Sequence, residues 1–213
     1  MTTPDTNSAG HRLTPAGGPR IRSDVIDVYI FQRSVHPPRK VGRPESAERR
    51  RSSMDSDTVE RAGDGGAGAG GGVGVYFLQV LRQGPPLADT WHPVMGHVES
   101  GETAVACARR EMREELGIGP PASPLLSLHA LEQVHPFFIA ELDAIILSPR
   151  FAAEVSPGWS PTLNDEHTDF RWVAARDLGA MFMWPGQIAS CGEILEHLLR
   201  PGSLMRAQSE LAT

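Results

Sequence analysis

The chain has 213 residues with 26 acidic and 20 basic side chains, which gives a net charge of −6. This length fits one typical domain of about 150 residues with long irregular parts, and the 22 glycines and 18 prolines indicate that some of the chain is not packed. The negative balance argues against a surface that grips nucleic acid throughout, and the sequence has no run of about 20 apolar residues to cross a membrane.

The first third of the chain alternates between segments that favour order and segments that do not. Residues 1–20 are polar and rich in Gly, Pro and Thr, which predicts a disordered leader. The β-branched and aromatic run at 24–32 predicts a strand. Residues 34–72 hold a basic run and then a glycine-rich run, which predicts a disordered insert because few large apolar side chains are available for burial. Closing a loop costs free energy only with the logarithm of its length, so the insert need not divide the domain.

From residue 73 onward the pattern predicts alternating strands and helices. The predicted strands lie at 73–82, 125–134, 136–147 and 170–173. The predicted helices lie at 103–116 and 186–199, with a short helical turn at 174–178. The proline-containing stretch 149–165 predicts a loop, and residues 202–213 predict a flexible tail. These elements indicate a single α/β domain over 21–201.

Two further features bear on the compartment. Cys107 and Cys191 form neither a disulfide framework nor a CxxC metal knuckle, so each is predicted to be a small buried hydrophobic side chain. The first residues lack an apolar signal core, and we therefore expect a reducing, cytoplasmic setting.

The predicted helix at 103–116 carries three glutamates on one face. Glu111, Glu114 and Glu115 stand at i, i+3 and i+4, so their carboxylates repel one another. They also lie near the helix C-terminus, where the helix dipole disfavours anions. A surface helix with ordinary ion pairs is the alternative, since Arg110 stands four residues before Glu114, but such a pair contributes only a few tenths of a kcal/mol. Clustered oxygen ligands without His or Cys indicate a hard cation, Mg²⁺ or Mn²⁺.

The residues on either side of this helix are suited to cap its two ends. The loop before it is suited to approach a ligand. Thr103 is a predicted N-cap, and Gly117 is a predicted left-handed C-cap. The loop 96–101 begins and ends with glycine, whose backbone freedom lets a carbonyl group come close to a ligand.

The stretch from Gly96 to Ile118 resembles the Nudix box. That motif reads Gly, five residues, Glu, seven residues, Arg-Glu, an apolar residue, any residue, Glu-Glu, any residue, Gly and an apolar residue. This chain fills the defined positions with Gly96, Glu102, Arg110, Glu111, Met112, Glu114, Glu115, Gly117 and Ile118. Such a match would arise by chance with a likelihood on the order of 10⁻⁷ at average residue frequencies. The resemblance implies a Nudix α/β/α sandwich with a mixed β-sheet, in which the box is a loop–helix–loop.

The resemblance also implies an activity and roles for the box residues. It implies metal-dependent hydrolysis of a diphosphate linkage in a nucleoside diphosphate joined to another group, with Mg²⁺ or Mn²⁺ as the cofactor. The implied metal ligands are Glu111, Glu114, Glu115 and the carbonyl of Gly96. One of the glutamates, most often the one at Glu111, serves as general base in some members. Glu102 is implied to support the site electrostatically, and Arg110 to orient the box through a carboxylate.

Residues outside the box are candidates for substrate contact. Arg82, at the end of a predicted strand, matches a position where relatives often contact phosphate, and its alternative is a strand-end arginine in solvent. Glu166 is a candidate for a further metal or base contact, and its alternative is an exposed loop acid. Trp91 is a candidate to stack on a base or pterin ring.

Four more side chains have both a functional and an ordinary interpretation. Trp172 and Phe137 could stack on a ring, but Trp172 lies in a predicted strand, which favours a place in the core or at its edge. His97 and His167 could contact phosphate, but surface or supporting positions are the more usual ones for such histidines.

The substrate class rests on a finer resemblance. Met95 stands where many members have a further glycine, and the stretches 164–172 and 184–187 resemble the subgroup that acts on dihydroneopterin triphosphate or deoxynucleoside triphosphates. A (deoxy)nucleoside triphosphate or dihydroneopterin triphosphate would give a monophosphate and pyrophosphate. ADP-ribose, dinucleoside polyphosphates and capped RNA are the alternatives.

A role of a different class also stays open. Some Nudix-like domains are ligand sensors or protein-binding modules, although these typically lose box glutamates that this chain keeps. The basic segment 34–63, with Arg49, Arg50 and Arg51, is a candidate for weak contact with RNA or an acidic partner, and its alternative is a solvated charge run. A small-molecule diphosphate is the expected partner. If the chain assembles with copies of itself, we expect a homodimer.

Overall fold

The computed structural model describes residues 18–42, 72–85 and 87–212. The predicted leader lies outside this description up to residue 17, and the predicted insert lies outside it from residue 43 to residue 71. Within the described part of the chain, no helix is long and apolar enough to cross a bilayer.

The strands form a larger and a smaller sheet. In chain order they are β1 (Arg20–Arg22), β2 (Val25–Ser34), β3 (Gly74–Arg82), β4 (Trp91–His92), β5 (Val94–His97), β6 (Leu125–Ala130), β7 (Phe137–Ile139), β8 (Ala144–Ile146), β9 (Arg150–Val155), β10 (His167–Ala174) and β11 (Glu210–Leu211). The larger sheet has the order β10-β3-β2-β9-β6-β11, with β4 beside β3 and β5 beside β2. The smaller sheet has the order β1-β8-β7. Since β2 runs parallel to β9 and antiparallel to β3, the larger sheet is mixed, as predicted.

Helices pack on both faces of the larger sheet. They are α1 (Ala104–Leu116), α2 (Leu178–Met181), α3 (Pro185–Glu193) and α4 (Leu204–Ser209), and α3 continues through a wider turn at Ile194–Leu198. Successive residues of a strand point to opposite faces. Val28 of β2 accordingly packs in one core cluster with Met112 of α1, whereas Tyr29 packs in the other with Ile194. The predicted α/β/α sandwich is confirmed.

Both cysteines lie in these cores. Cys107 is buried on the α1 side and Cys191 on the α3 side, and both are free thiols, as predicted.

The predicted loop at 149–165 is wrong in its first half. Residues 150–155 form β9, which lies inside the larger sheet between β2 and β6 and is buried along its whole length. Pro149, Pro157 and Pro161 all lie outside the strand, so they bound it and do not interrupt its backbone hydrogen bonds.

The predicted single strand at 136–147 is also wrong. It is a hairpin of β7 and β8, joined by a short helical turn at Ala140–Leu142. Asp143 has a φ of 43°, in the left-handed region, and this residue reverses the chain. The preceding strand, predicted to reach residue 134, ends at Ala130.

The segment from residue 202, predicted to be a flexible tail, forms α4 and β11. Ser203 caps α4 by accepting a hydrogen bond from the Arg206 backbone, and β11 pairs antiparallel with β6. Arg206 also donates to Glu154 of β9 at 2.9 Å. The tail therefore extends the larger sheet.

Removing the Arg206 side chain is expected to destabilise this arrangement. The Glu154 side chain is 4% exposed and pairs with both Arg206 and Arg33. Because a buried charged acceptor loses a donor, Arg206→Ala should lower the free energy of unfolding by about 1.5–3 kcal/mol in chemical denaturation. The exposed Arg200→Ala is the control and should change it by less than about 0.5 kcal/mol. Equal losses in both variants would show that this ion pair does not hold the tail.

The described start of the predicted insert is attached to the sheet. The backbone of Lys40 accepts a hydrogen bond from Trp172 at 3.0 Å, and Gly42 donates to the carbonyl of Trp172 at 2.9 Å. Residues 40–42 thus lie along the outer edge of β10. Ordered chain therefore runs past Ser34, where the disordered insert was predicted to begin.

Candidate functional site

Helix α1 forms where the sequence predicts it and with the predicted ends. The Thr103 hydroxyl accepts a hydrogen bond from the backbone of Ala106 at 3.2 Å. Gly117 has a φ of 71° and donates its backbone N–H to the carbonyl of Arg113. These caps satisfy backbone groups at both ends of the helix and fix where the glutamate face begins and ends.

Arg110 lies at the centre of the acidic face. It makes two hydrogen bonds to Glu102, both of 3.1 Å, and donates to Glu111 at 2.8 Å and to Glu114 at 3.2 Å. These hydrogen bonds, above all those to Glu102, raise the pKa of Arg110 above its ordinary value. The same contact lowers the pKa of Glu102, so this carboxylate stays ionised. Arg110 thus contacts three carboxylates of the box at once.

The loop before α1 is tied to this arginine and pressed against Glu111. The carbonyl of His97 accepts a hydrogen bond from Arg110 at 2.9 Å. Gly96 lies against the Glu111 side chain, and a Cβ at this position would overlap three atoms of that side chain. Glycine therefore lets the loop approach Glu111 closely, and a larger residue here would displace that side chain.

Alanine at position 96 is expected to displace Glu111. Overpacking at a tight contact costs about 1–3 kcal/mol, so Gly96→Ala should lower the melting temperature as well as turnover. Gly192→Ala is the matched control, because a Cβ there meets nothing within 4 Å. A Gly96→Ala protein with wild-type turnover and melting temperature would show that Glu111 does not need this contact.

The three glutamates of the face differ in environment. The side chain of Glu114 is 50% exposed and that of Glu111 is 12% exposed, whereas that of Glu115 is 4% exposed. Oε2 of Glu115 is buried without a hydrogen-bond partner among the described residues. Burial, followed by the charges of Glu111 and Glu166, raises the pKa of Glu115 to about 9. Burial also raises the pKa of Glu111, against the effect of Arg110.

Two histidines lie behind Glu115. Nε2 of His167 is 3.9 Å from Oε2 of Glu115, and the His167 ring packs against the His92 ring at 5.3 Å between centroids. Burial lowers the pKa of His167 to about 4 and also lowers that of His92. Both rings are therefore neutral at pH 7, and neither supplies a positive charge to Glu115.

A cleft opens beside the acidic face. It has a volume of about 380 Å³ and is lined by Arg82, Gln83, Gly84, Pro85, Asp165 and Glu166. The backbone of Gln83 donates to the carbonyl of Glu166 at 2.9 Å and holds the two walls together. Burial is the main cause of the raised pKa of Glu115, and the charges of Glu166 and Arg82 in the cleft wall also act on it, so the cleft lies near the box. The structure thus brings the predicted residues Arg82 and Glu166 together.

The other predicted contacts are more scattered. Trp91 has one ring face covered by the guanidinium of Arg171, 4.3 Å from the ring centroid. Trp172 is 1% exposed and belongs to the core, and Phe137 lies in the smaller sheet. Stacking by Trp172 on a substrate is therefore ruled out in this arrangement. The side chain of His97 is exposed, and only its backbone carbonyl contacts the box, through the hydrogen bond from Arg110.

The donor set of the box suits a hard divalent cation. Glu111, Glu114, Glu115 and the carbonyl of Gly96 offer only oxygen, which Mg²⁺ and Mn²⁺ prefer. Burial raises the pKa of both Glu111 and Glu115, and neighbouring carboxylates add to this effect. The part of the chain that the structure describes contains no group of three or more His, Cys, Asp or Glu side chains spaced to hold a metal ion. Arg110 is hydrogen-bonded to the side chains of Glu111 and Glu114, so these two carboxylates would have to rotate to bind one ion together.

Sequence reasoning gave no role to His92 and Asn164. Asn164 contacts Nδ1 of His167 at 3.1 Å, and His92 packs on the same ring. These residues come from β4 and from the loop before β10, and no local spacing in the sequence relates them to Glu115.

Comparison with known proteins agrees with the motif. A family model for the NUDIX domain matches residues 70–190, more than half of the chain. The chain is 30% identical over 96 residues to an octanoyltransferase of Myxococcus xanthus, a match that covers 44% of this chain and 25% of that protein. The chain thus spans about a quarter of the length of that curated relative.

Solved structures share the fold. An Ap4A hydrolase of C. elegans superposes with a TM-score of 0.50 at 16% identity, covering 80% of this chain and 93% of that one. The NUDIX domain of NrtR from Shewanella oneidensis, solved with ADP-ribose, superposes with a TM-score of 0.51 at 12% identity, covering 84% and 88%. At such low identities these likenesses establish the fold alone.

Proposed function

Because the chain belongs to the Nudix family, we propose that it hydrolyses a diphosphate linkage in a nucleoside diphosphate joined to a second group. The observation that carries this proposal is the acidic face of α1 near an open cleft, where Oε2 of the buried Glu115 has no hydrogen-bond partner among the residues that the structure describes. A stable surface helix has no need of such a carboxylate, because burial of an unpaired acid is costly.

The cofactor is Mg²⁺ or Mn²⁺. Glu111, Glu114, Glu115 and the carbonyl of Gly96 would hold it, and when bound it would neutralise charge on the phosphates and lower the pKa of a water molecule. Arg110 keeps Glu102 ionised and fixes the loop through the carbonyl of His97. The chain's own contribution is thus an oriented set of carboxylates that repels a diphosphate until a cation is present.

We assign the contacts to the substrate to residues of the cleft. Arg82 offers a positive charge to a phosphate group at the rim, next to the carboxylates of Asp165 and Glu166. Those two carboxylates are suited to accept hydrogen bonds from donors on a base or pterin ring. Trp91, already covered by Arg171 on one face, has only its other face for stacking.

The resemblance of residues 164–172 and 184–187 to one subgroup of the family supports a substrate class. Triphosphates of deoxynucleosides, nucleosides or dihydroneopterin are the first choice, giving a monophosphate and pyrophosphate. ADP-ribose and dinucleoside polyphosphates are the alternatives within the same chemistry.

A substrate panel tests this function. Wild-type protein and Glu114→Gln are each incubated with the deoxynucleoside triphosphates, dihydroneopterin triphosphate, ADP-ribose and diadenosine tetraphosphate, with Mg²⁺ or Mn²⁺. We expect the wild type to release hydrolysis products from one substrate class. The variant should release them at least about a hundredfold more slowly. Hydrolysis in ¹⁸O-labelled water then identifies the attacked phosphorus. Equal release by both proteins would point to a contaminating activity and contradict the assignment of Glu114.

A further inference from the structure

A second cavity, which we call the Trp159 pocket, is formed by residues 34–39 and residues 158–160. It has a volume of about 180 Å³, with Pro37, Pro38 and Arg39 contributed by the first segment and Trp159 by the second. Sites for whole drug-sized ligands have volumes of about 300–1,000 Å³. The Trp159 pocket is therefore of a size to hold one flat ring system, with any further group of the ligand outside it.

The Trp159 pocket is separate from the box and from the cleft. Ile26, near the start of β2, pairs with Gly96 of the box, whereas Ser34 of the pocket ends the same strand. From residue 26 to residue 34 a strand rises about 26 Å, at about 3.3 Å per residue. Ser34 also pairs with Gly74, the first residue of β3, and Arg82 of the cleft is the last. A ligand in the pocket therefore has no need of the box carboxylates or of a cation bound to them.

The aromatic side of the pocket is held in place by a turn and by the core. Residues 156–159 read Ser-Pro-Gly-Trp, with proline and glycine at the two central positions that favour a type II turn. Gly158 has a φ of 81°, and Trp159 donates its backbone N–H to the carbonyl of Ser156 at 3.2 Å. The Trp159 ring packs edge-on against the buried Trp172, at 6.5 Å between centroids. Because this side is already ordered, binding a ring against it costs little conformational entropy.

Two polar side chains at the pocket lack partners among the described residues. Gln32 is 0% exposed, and its Oε1 accepts the backbone N–H of Gly158 at 3.1 Å, so its amide group lies directly behind the pocket wall. Nε2 of the same amide is buried without a hydrogen-bond partner in the described part of the chain, which is costly for a donor. Arg39 is exposed, and within the described ranges it forms no hydrogen bond or ion pair. The pocket thus offers a buried donor to a carbonyl group and a positive charge to an anion.

We propose that the Trp159 pocket is a second nucleotide site, which binds a flat heteroaromatic ring that carries a carbonyl group and is joined to a phosphate. The ring packs against Trp159 and the two prolines, its carbonyl accepts a hydrogen bond from Gln32, and the phosphate pairs with Arg39. A guanine nucleotide with one phosphate combines these three features. Binding at this site is independent of the hydrolysis proposed for the box.

Isothermal titration calorimetry with guanosine monophosphate tests this site in the wild type, in Trp159→Leu and in Arg39→Gln. EDTA is present throughout, so that no cation draws the phosphate to the box. We expect the wild type to bind one equivalent. Each variant should bind at least about tenfold more weakly, because Trp159→Leu removes the stacking surface and Arg39→Gln removes a charge-assisted contact. A wild type that does not bind the nucleotide, or three proteins with the same affinity, would overturn the proposal.

A second probe and two further variants keep the test decisive. Guanosine has no phosphate, so Arg39→Gln should bind it as the wild type does, whereas Trp159→Leu should bind it more weakly. If Trp159→Leu does not fold, the exposed Arg39→Gln replaces it, and wild-type affinity of that protein for the monophosphate would overturn the proposal. Arg176→Gln makes the same change at a side chain that is 79% exposed and should bind as the wild type does. Arg82→Gln should also bind normally, and a loss of binding in it would place the nucleotide in the cleft and contradict a second site.

Discussion

The substitution Glu115→Gln is expected to lower turnover at least about a hundredfold. In the absence of metal and at pH values above 7, the same substitution is expected to raise the melting temperature. The loss of turnover follows from removing a proposed ion ligand. An ion bound at a phosphoryl group contributes several kcal/mol to transition-state stabilisation, and each ~1.4 kcal/mol is a factor of ten in rate. Steady-state turnover with Mg²⁺ on the substrate identified by the panel measures it.

The gain in stability follows from the raised pKa of Glu115. Its ordinary value of 4.5 rises to about 9 in the folded protein. Between these values the folded state binds one more proton than the unfolded state, so the free energy of unfolding falls as the pH rises. At pH 7.5 the resulting loss in the free energy of unfolding is on the order of 4 kcal/mol, and Glu115→Gln removes it. Thermal melts in EDTA from pH 7 to 8 should slope downward for the wild type and much less for the variant. The range ends at pH 8 because burial also raises the pKa of Cys107 and Cys191, which lowers stability as the pH approaches 9.

The pH window and a control isolate this effect. The lowered pKa values of His92 and His167 affect stability only below about pH 6.5, where the slope has the opposite sign. Glu196→Gln makes the same charge change at an exposed site on the other face of the sheet and should alter neither turnover nor slope. A Glu115→Gln protein that is less stable than the wild type in EDTA at pH 8 would show that the buried carboxyl group is favourable as it stands.

Asn at position 27 is expected to cause the largest loss of stability. Asp27 pairs with Arg150 at 3.2 Å, and their side chains are 5% and 3% exposed. Arg150 also donates to the carbonyl of Gly186 and the hydroxyl of Ser190, both at 2.7 Å, and thereby connects β9 to α3. Asp27→Asn leaves the guanidinium buried without a counter-charge, so the free energy of unfolding should fall by about 3–5 kcal/mol. Urea denaturation measures the loss.

The surface pair of Asp24 with Arg22 provides the matched control. The same two residue types meet there at 2.5 Å, but their side chains are 47% and 32% exposed. Asp24→Asn should therefore lower stability by less than about 1 kcal/mol. In the double variant Asp27→Asn with Arg150→Met, much of the lost stability should return because the unpaired charge is gone. A cost that is equal at positions 27 and 24 would show that burial does not decide the strength of this pair.

Local patterns predicted the parts of the fold that short-range physics controls. The caps at Thr103 and Gly117 and the strands at 24–32 and 73–82 are close to their observed positions, because capping and β-branching act within a few residues. Local sequence does not predict β9, because the prolines on both sides of it favour a loop. It does not predict the structure of the tail either, because α4 and β11 depend on distant partners such as Glu154 and β6.

The site shows the same division. The spacing of the box glutamates predicts that they share a face, and nothing in that spacing distinguishes an exposed Glu114 from a buried Glu115. The difference arises because His92 and His167 reach the back of α1 from separate strands. Burial and the pKa that follows from it are properties of the packed sheet, so a linear motif does not carry them.

The most direct test of the proposed activity is product release from the panel, measured as pyrophosphate from the triphosphates and as nucleotide from ADP-ribose and diadenosine tetraphosphate. It is followed in Mg²⁺ and then in excess EDTA, with wild type and Glu115→Gln side by side. We predict release by the wild type in Mg²⁺, its disappearance in EDTA and its recovery when Mg²⁺ is restored. Glu115→Gln should remain at least about a hundredfold slower throughout. Release that persists in EDTA, or that is the same in both proteins, would contradict a cation-dependent reaction at the acidic face of α1.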